Sequence, residues 1–333
     1  MKKLVSFVCA AAFACAAALP LTACGNDEGD ETIHVYMPDG APAIALASLM
    51  DGGYSGFDFT VVPSNEIGGV VSNGTADMAI MPIDAAANLY NGGKDIVMLS
   101  VNTHGNLYMV GKTEDATFAD LEGKRLGVIG QGSVPDNTLR ILLNKENISY
   151  QISEDEIEDK IAVTYADAST LIPLFKQGKL DYILLGEPAV TNAINATKDI
   201  GGKIAMDMQE QWKLAFGGSF PQACLIAKGS VIDNRKADVN KFLTALKESD
   251  GWAEQNPDKA LKAVENNMKT GNQTTLKALT EDIIKRCNIK TVAADDIRED
   301  CDTYFQKLRT LRADALDTPV LAKVPDLDFY YQS

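Results

Sequence analysis

Gln177-Gly-Lys-Leu-Asp-Tyr-Ile-Leu-Leu-Gly-Glu-Pro-Ala-Val190 repeats, far along the chain, the plan of Asn73-Gly-Thr-Ala-Asp-Met-Ala-Ile-Met-Pro-Ile-Asp-Ala85. In each, a glycine suited to ending a helix precedes an aspartate that opens a short apolar run. A proline then stands near the start of the next helix, where its missing N–H costs nothing. Short apolar runs bounded by such turn residues read as buried strands, and the alternation with helices reads as an α/β sheet. Two copies of one plan predict two sheets whose strand ends face a shared cleft.

Strands are expected upstream at residues 32–37, 57–62, 76–81, 95–101 and 107–110, with helices over 41–50, 64–73 and 82–91. A second series places strands at 124–129, 161–164, 182–185, 203–206 and 223–226, the last two completing the second sheet. Its helices fall at 135–144, 167–177 and 187–194. The last third changes to amphipathic helical spacing over 235–252, 257–268, 274–287 and 293–316, a tail that wraps an existing sheet.

The 333 residues suit two domains better than one enlarged core. With 46 acidic against 31 basic side chains the net charge is −15, which argues against a nucleic-acid partner. After residue 24 the cysteines are Cys224, Cys287 and Cys301, an odd set; Cys287 and Cys301 could staple two C-terminal elements or remain buried thiols. With no Cys-x-x-Cys and only His34 and His104 as imidazoles, neither a metal nor another cofactor is expected.

Met1-Lys-Lys3 followed by apolar residues to Leu21 has the pattern of a secretory signal. Leu21-Thr-Ala-Cys-Gly25 resembles the lipobox of bacterial lipoproteins. That resemblance implies cleavage after residue 23, acylation of the Cys24 thiol, and anchoring at the extracytoplasmic face of the cell membrane. Residues 24–31 then form a polar tether.

The body resembles the substrate-binding proteins of bacterial ABC transporters, in the group that includes nitrate, sulfonate, taurine and thiamine-precursor binders. The resemblance rests on Asn73–Ala79, on Leu121-Glu-Gly-Lys-Arg-Leu-Gly-Val-Ile-Gly-Gln-Gly-Ser133, on Gly178–Pro188 and on Trp252-Ala-Glu-Gln-Asn-Pro-Asp258. It implies the two-lobed periplasmic-binding-protein-like fold of type II, α/β, with a mainly parallel sheet flanked by helices in each lobe. Residues 32–108 would begin lobe I, 109–223 form lobe II, and 224–333 return to lobe I, with crossings near 107–112 and 220–227. It further implies closure on a small organic solute (a sulfonate, a pyrimidine, a thiamine-related or another small molecule) and delivery to an ABC permease; one solute per monomer is the simplest expectation.

Strand ends supply the candidate ligand-binding residues. These are Tyr36, Asp39, Gly40 and Ala41 after the first strand, and Pro82 and Asp84 after the third. Asn102 and His104 follow the fourth. Gly132 and Ser133 open a helix, with Ser133 and Asp136 at capping-box spacing. Tyr165 offers a ring with one polar handle, and Glu187 a carboxylate at a helix start. Trp212 and Phe216 could cover the cleft or fill a core. Asp39, Asp84 and Glu187 tilt the cleft slightly towards neutral or amine-bearing solutes. The competing readings are an enzyme on the same scaffold, with His104 as its acid–base group, and a lipid-anchored adhesin or receptor. Neither a Gly-x-Ser-x-Gly elbow nor a His-Glu-x-x-His helix is present, and no chemistry is expected.

Overall fold

The computed structural model describes residues 32–313 and 316–332. The signal segment, Cys24 and the tether lie outside these residues. β1 (Ile33–Pro38) leads into α1 (Ala41–Ala45) and α2 (Ala47–Gly52). β2 (Phe57–Val62) leads into α3 (Ile67–Ser72), β3 (Met78–Pro82) into α4 (Ile83–Asn91), and β4 (Ile96–His104) follows. Next come β5 (Leu107–Gly111), β6 (Arg125–Val128), α5 (Val134–Glu146), β7 (Tyr150–Ile152) and β8 (Ile161–Tyr165). Then come α6 (Ala168–Lys176), β9 (Tyr182–Gly186), α7 (Ala189–Thr197), β10 (Lys203–Asp207) and α8 (Met208–Phe216). β11 (Pro221–Lys228) precedes α9 (Gly229–Glu248), α10 (Trp252–Gln255), α11 (Pro257–Asn266) and α12 (Glu281–Arg286). β12 (Ile289–Ala293), α13 (Ala294–Leu308) and the hairpin strands β13 (Arg312–Ala313) and β14 (Leu316–Pro319) complete the order.

Two six-stranded sheets result, ordered β12-β4-β11-β3-β1-β2 and β10-β5-β9-β6-β8-β7. In the first, β2, β1 and β3 pair in parallel, while β11 is antiparallel to β3 and β4, and β12 to β4. In the second, β7, β8, β6 and β9 pair in parallel, and β5 is antiparallel to β9 and β10. Most strands of each sheet therefore run one way. The reversed strands β5, β11 and β12 are those that begin at the boundary between the sheets, so their direction away from it follows from connectivity.

The sheets' faces separate by the two-residue period of a strand. Met78 and Ile80 pack with α1, α9, α11 and α12 on one face of the first sheet. Ala79 and Met81 pack on the other, with α3, α4 and α13. That second core continues through Met109, Leu126 and Val128 to α5 and α8 under the second sheet. The far face of the second sheet carries Ile183 and Leu185 against α6 and α7. The molecule is thus two α/β lobes with one continuous apolar layer beneath their junction.

Several expectations are corrected. The strand at 223–226 belongs to the first sheet, between β4 and β3, because the chain has already crossed back by Pro221. The passage out lies between His104 and Leu107, and the return between Phe216 and Pro221, slightly earlier than the expected 107–112 and 220–227. The helix expected over 274–287 forms only at Glu281–Arg286, because Asp39 holds residues 274–275 outside any helix. The one expected over 293–316 ends at Leu308, and the chain turns into a hairpin. Cys224, Cys287 and Cys301 are free and buried. Cys287 and Cys301 lie in different apolar cores, so they form no staple.

Candidate functional site

At the junction of the lobes the helix start after β3 meets the helix that follows β6, and the end of β9 meets α12. Gly40 turns the chain from β1 into α1 with φ 113°, a conformation glycine adopts without steric cost. Both carboxylate oxygens of Asp39 are engaged: Oδ1 accepts from the Thr274 hydroxyl at 2.6 Å, and Oδ2 from Thr275 N–H and Oγ1 at 2.6 Å each. Asp39 therefore fastens the loop before α12. Ala41 is buried, and Tyr36 is half-buried against the shared core.

Pro82 ends β3, and Asp84 lies in the first turn of α4, buried. Its Oδ2 accepts from Asn137 Nδ2, on α5 of the other lobe, at 2.8 Å. Burial pushes the Asp84 carboxyl up to about 6, against the lowering pull of the Asn137 and Ala85 hydrogen bonds, with Asp136 adding a further upward push. Asp136 accepts from Gly132 N–H at 2.9 Å and from the Tyr165 hydroxyl at 2.8 Å. The expected capping box is thus replaced: Ser133 stands at the N-cap without a side-chain cap bond, and Asp136 pins the glycine loop instead.

Asn102 and His104 lie within β4, not in a loop after it. Asn102 is fully buried, and its Nδ2 donates to Thr291 Oγ1 at 3.4 Å. His104 Nε2 lies 3.1 Å from the Lys290 carbonyl, which can only accept, so Nε2 carries the proton. Nδ1 then accepts from the Ser219 hydroxyl at 3.3 Å. Burial lowers the pKa of the imidazole and keeps it neutral. Both residues thus tie β4 to its neighbours. Trp212 is buried against Phe216, Phe220 and Tyr304, in the core and not over a cleft.

Glu187 sits between β9 and α7, buried, and meets a partner that sequence reading does not single out. Arg286, at the end of α12 on the first lobe, donates from Nε to Glu187 Oε1 at 2.7 Å and from Nη2 to Thr191 Oγ1 at 2.8 Å. Thr191 also donates to Glu187 from its backbone N–H and its hydroxyl. Beside this pair the two crossing segments hold each other: Asn106 N–H donates to Gln222 Oε1 at 3.0 Å, and Gln222 Nε2 to Asn106 Oδ1 at 2.6 Å. Arg286 and Gln222 left no local signal, since each looks like the polar face of an ordinary helix or strand end.

A groove of about 350 Å³ opens next to the Glu187–Arg286 pair. Thr191, Asn192 and Asn195 of α7 form one wall, and residues 277–286 the other. Its volume falls at the lower end of that of small-molecule sites. Among the described residues, no group of three or more His, Cys, Asp and Glu side chains is arranged to hold a metal ion. No helix among them is long and apolar enough to cross a membrane.

The sequence profile of the family described as "NMT1/THI5 like" matches residues 56–260. No curated protein matches the sequence. The fold is similar to that of an ABC transporter protein from Parabacteroides distasonis, with a TM-score of 0.70 and 24% identity over 91% of this chain and 99% of that one. The periplasmic aliphatic sulphonate binding protein of Escherichia coli gives a TM-score of 0.59 and 16% identity over 82% of this chain and 90% of that one. The alkanesulfonate-binding protein of Xanthomonas axonopodis pv. citri, bound to MOPS, gives 0.54 and 15% over 83% and 93%.

Proposed function

The chain belongs to the NMT1/THI5-like family, and on that premise we propose that it captures a small organic solute between its lobes for an ABC importer. The observation that carries this reading is the junction itself. Strand ends and helix starts from two sheets meet there, and the side chains that span it (Asp84 with Asn137, Glu187 with Arg286) make polar contacts that water can replace when the lobes part. At this junction a polar layer lies over the apolar one.

We place the protein at the extracytoplasmic face of the membrane, tethered through an acylated Cys24. The role is capture without chemistry. His104, the one histidine at the junction, is neutral and bonded on both ring nitrogens, which leaves no imidazole to act as a base towards a solute. The solute class includes the sulfonates that the neighbouring folds bind, together with pyrimidines and thiamine-related molecules. A membrane permease coupled to a cytoplasmic ATPase would be fed by a single monomer carrying one solute.

Native mass spectrometry of the purified chain, followed by thermal-shift screening with the co-purifying molecule, tests the proposal. A bound small molecule whose addition raises the melting temperature is the expected result. Absence of any co-purifying molecule, with no stabilising solute in a broad panel, would remove the support for capture.

A further inference from the structure

We propose that the groove between α7 and α12 receives the acid group of an anionic organic solute, with the Arg286 guanidinium as its anchor. This rests on the reading of the chain as a solute-capture protein and narrows it to a chemical class. In the sequence, three strand-end carboxylates tilt the cleft slightly towards neutral or amine-bearing solutes. Each is already engaged: Asp39 by Thr274 and Thr275, Asp84 by Asn137, and Glu187 by Arg286 and Thr191. An incoming amine would have to displace these bonds.

Arg286 is in the opposite position. Its side chain is 33% exposed while that of Glu187 is fully buried behind it. Nε and Nη2 are held by Glu187 and Thr191, and Nη1 donates to no group among the described residues. A planar guanidinium fixed along one edge, with N–H donors left towards a groove, matches the geometry of a carboxylate, sulfonate or phosphate monoester. Lys277 lines the same groove as a second cation, and Asp282 is the only carboxylate among the lining residues. Asn192, Asn195 and Thr280 supply amide and hydroxyl partners for a polar body, and Ile283 a small apolar patch. Because Arg286 and Glu187 lie on different lobes, the anchor takes this shape only when the lobes meet, which couples acid recognition to closure.

Calorimetric titration of the full chain with matched pairs of probes tests the inference: benzenesulfonate against benzenesulfonamide, benzoate against benzamide, and propionate against propionamide. At least one acid is expected to bind, and its amide to bind about tenfold more weakly or not at all, the loss of one charged hydrogen-bonded contact. Arg286→Lys keeps a cation beside Glu187 but removes the planar fork, and is expected to weaken the acid about tenfold. Asn195→Asp alters an exposed wall residue that the fold does not need, and is expected to weaken the acid by a similar factor and leave the amide unchanged. Amides binding as tightly as the acids, or acid affinity indifferent to both substitutions, would overturn the acid anchor and leave solute capture standing. If no probe binds and native mass spectrometry finds no bound molecule, both readings fall together.

Discussion

Asp84 is a carboxylate whose surroundings differ sharply between the folded and unfolded chain. Its pKa rises from 3.8 to about 6 on folding, chiefly through burial. Below pH 3.8 it is protonated in both states and adds nothing. Between the two values the folded state binds more protons than the unfolded one, so stability falls as pH rises, and above about 6 the full cost is present. Asp84→Asn should therefore gain stability relative to the parent between pH 4 and 6.5, by roughly 2–3 kcal/mol. Urea unfolding of both proteins across that range checks it, and a difference that does not change with pH would refute the assignment. Cys224, Cys287 and Cys301 give a second residue-scale prediction. All are buried, with thiol pKa values raised by burial, so they should resist a maleimide in the native protein and react on unfolding. Asp39, Asp84 and Glu187 were legible in the sequence because strand-end carboxylates have a local signature. Thr274, Asn137 and Arg286, their partners, were not, because each lies tens to hundreds of positions away and becomes a partner only on folding.

At the scale of elements, the β4–β5 crossing depends on Gly105. A Cβ there would lie 2.3 Å from atoms of the Phe220 ring and 2.0 Å from Gln209 Oε1, so ring and strand would have to move. Gly105→Ala should cost about 1–3 kcal/mol, as overpacked cores do. Gly69→Ala is the contrast: it lies inside α3 with nothing within 4 Å of the added carbon, and should stabilise by about 0.5–1 kcal/mol. Melting temperatures of the two variants should move in opposite directions. Elements with strong alternation or turn punctuation, such as β3 and β9, were legible in the sequence. The C-terminal helices were overextended, because amphipathic spacing continues beyond the helices while Asp39 holds residues 274–275 and the pairing of β13 with β14 holds 312–313 in other conformations.

For the whole molecule, the segment after β14 ties the lobes' shared core together. Leu321, Phe329, Tyr330 and Tyr331 are buried, and Tyr331 N–H donates to the Met98 carbonyl at 2.8 Å on β4. Asn88 and Asn91 of α4 donate to the carbonyls of Val320 and Lys323. Burial of four such side chains is worth about 6–12 kcal/mol on transfer terms. That is comparable with the ~5–15 kcal/mol stability of a typical domain. A chain ending at Pro319 should therefore fail to give a cooperative thermal transition; a transition within a few degrees of the parent's would show that the segment is dispensable.

Periodicity and turn residues, both properties of neighbouring positions, already specify two α/β lobes and the strand ends that face each other; the approximate crossings came only with the family resemblance. Periodicity and turn residues can do so because a strand's two faces and a helix's caps are written within a few residues. Three carboxylates at those ends read, in the sequence, as a slight tilt towards neutral or amine-bearing solutes. Their partners, across the junction for Asp84 and Glu187 and within the first lobe for Asp39, came from folding alone, since a side chain's charge is set locally but its partner is chosen by the packing of distant segments.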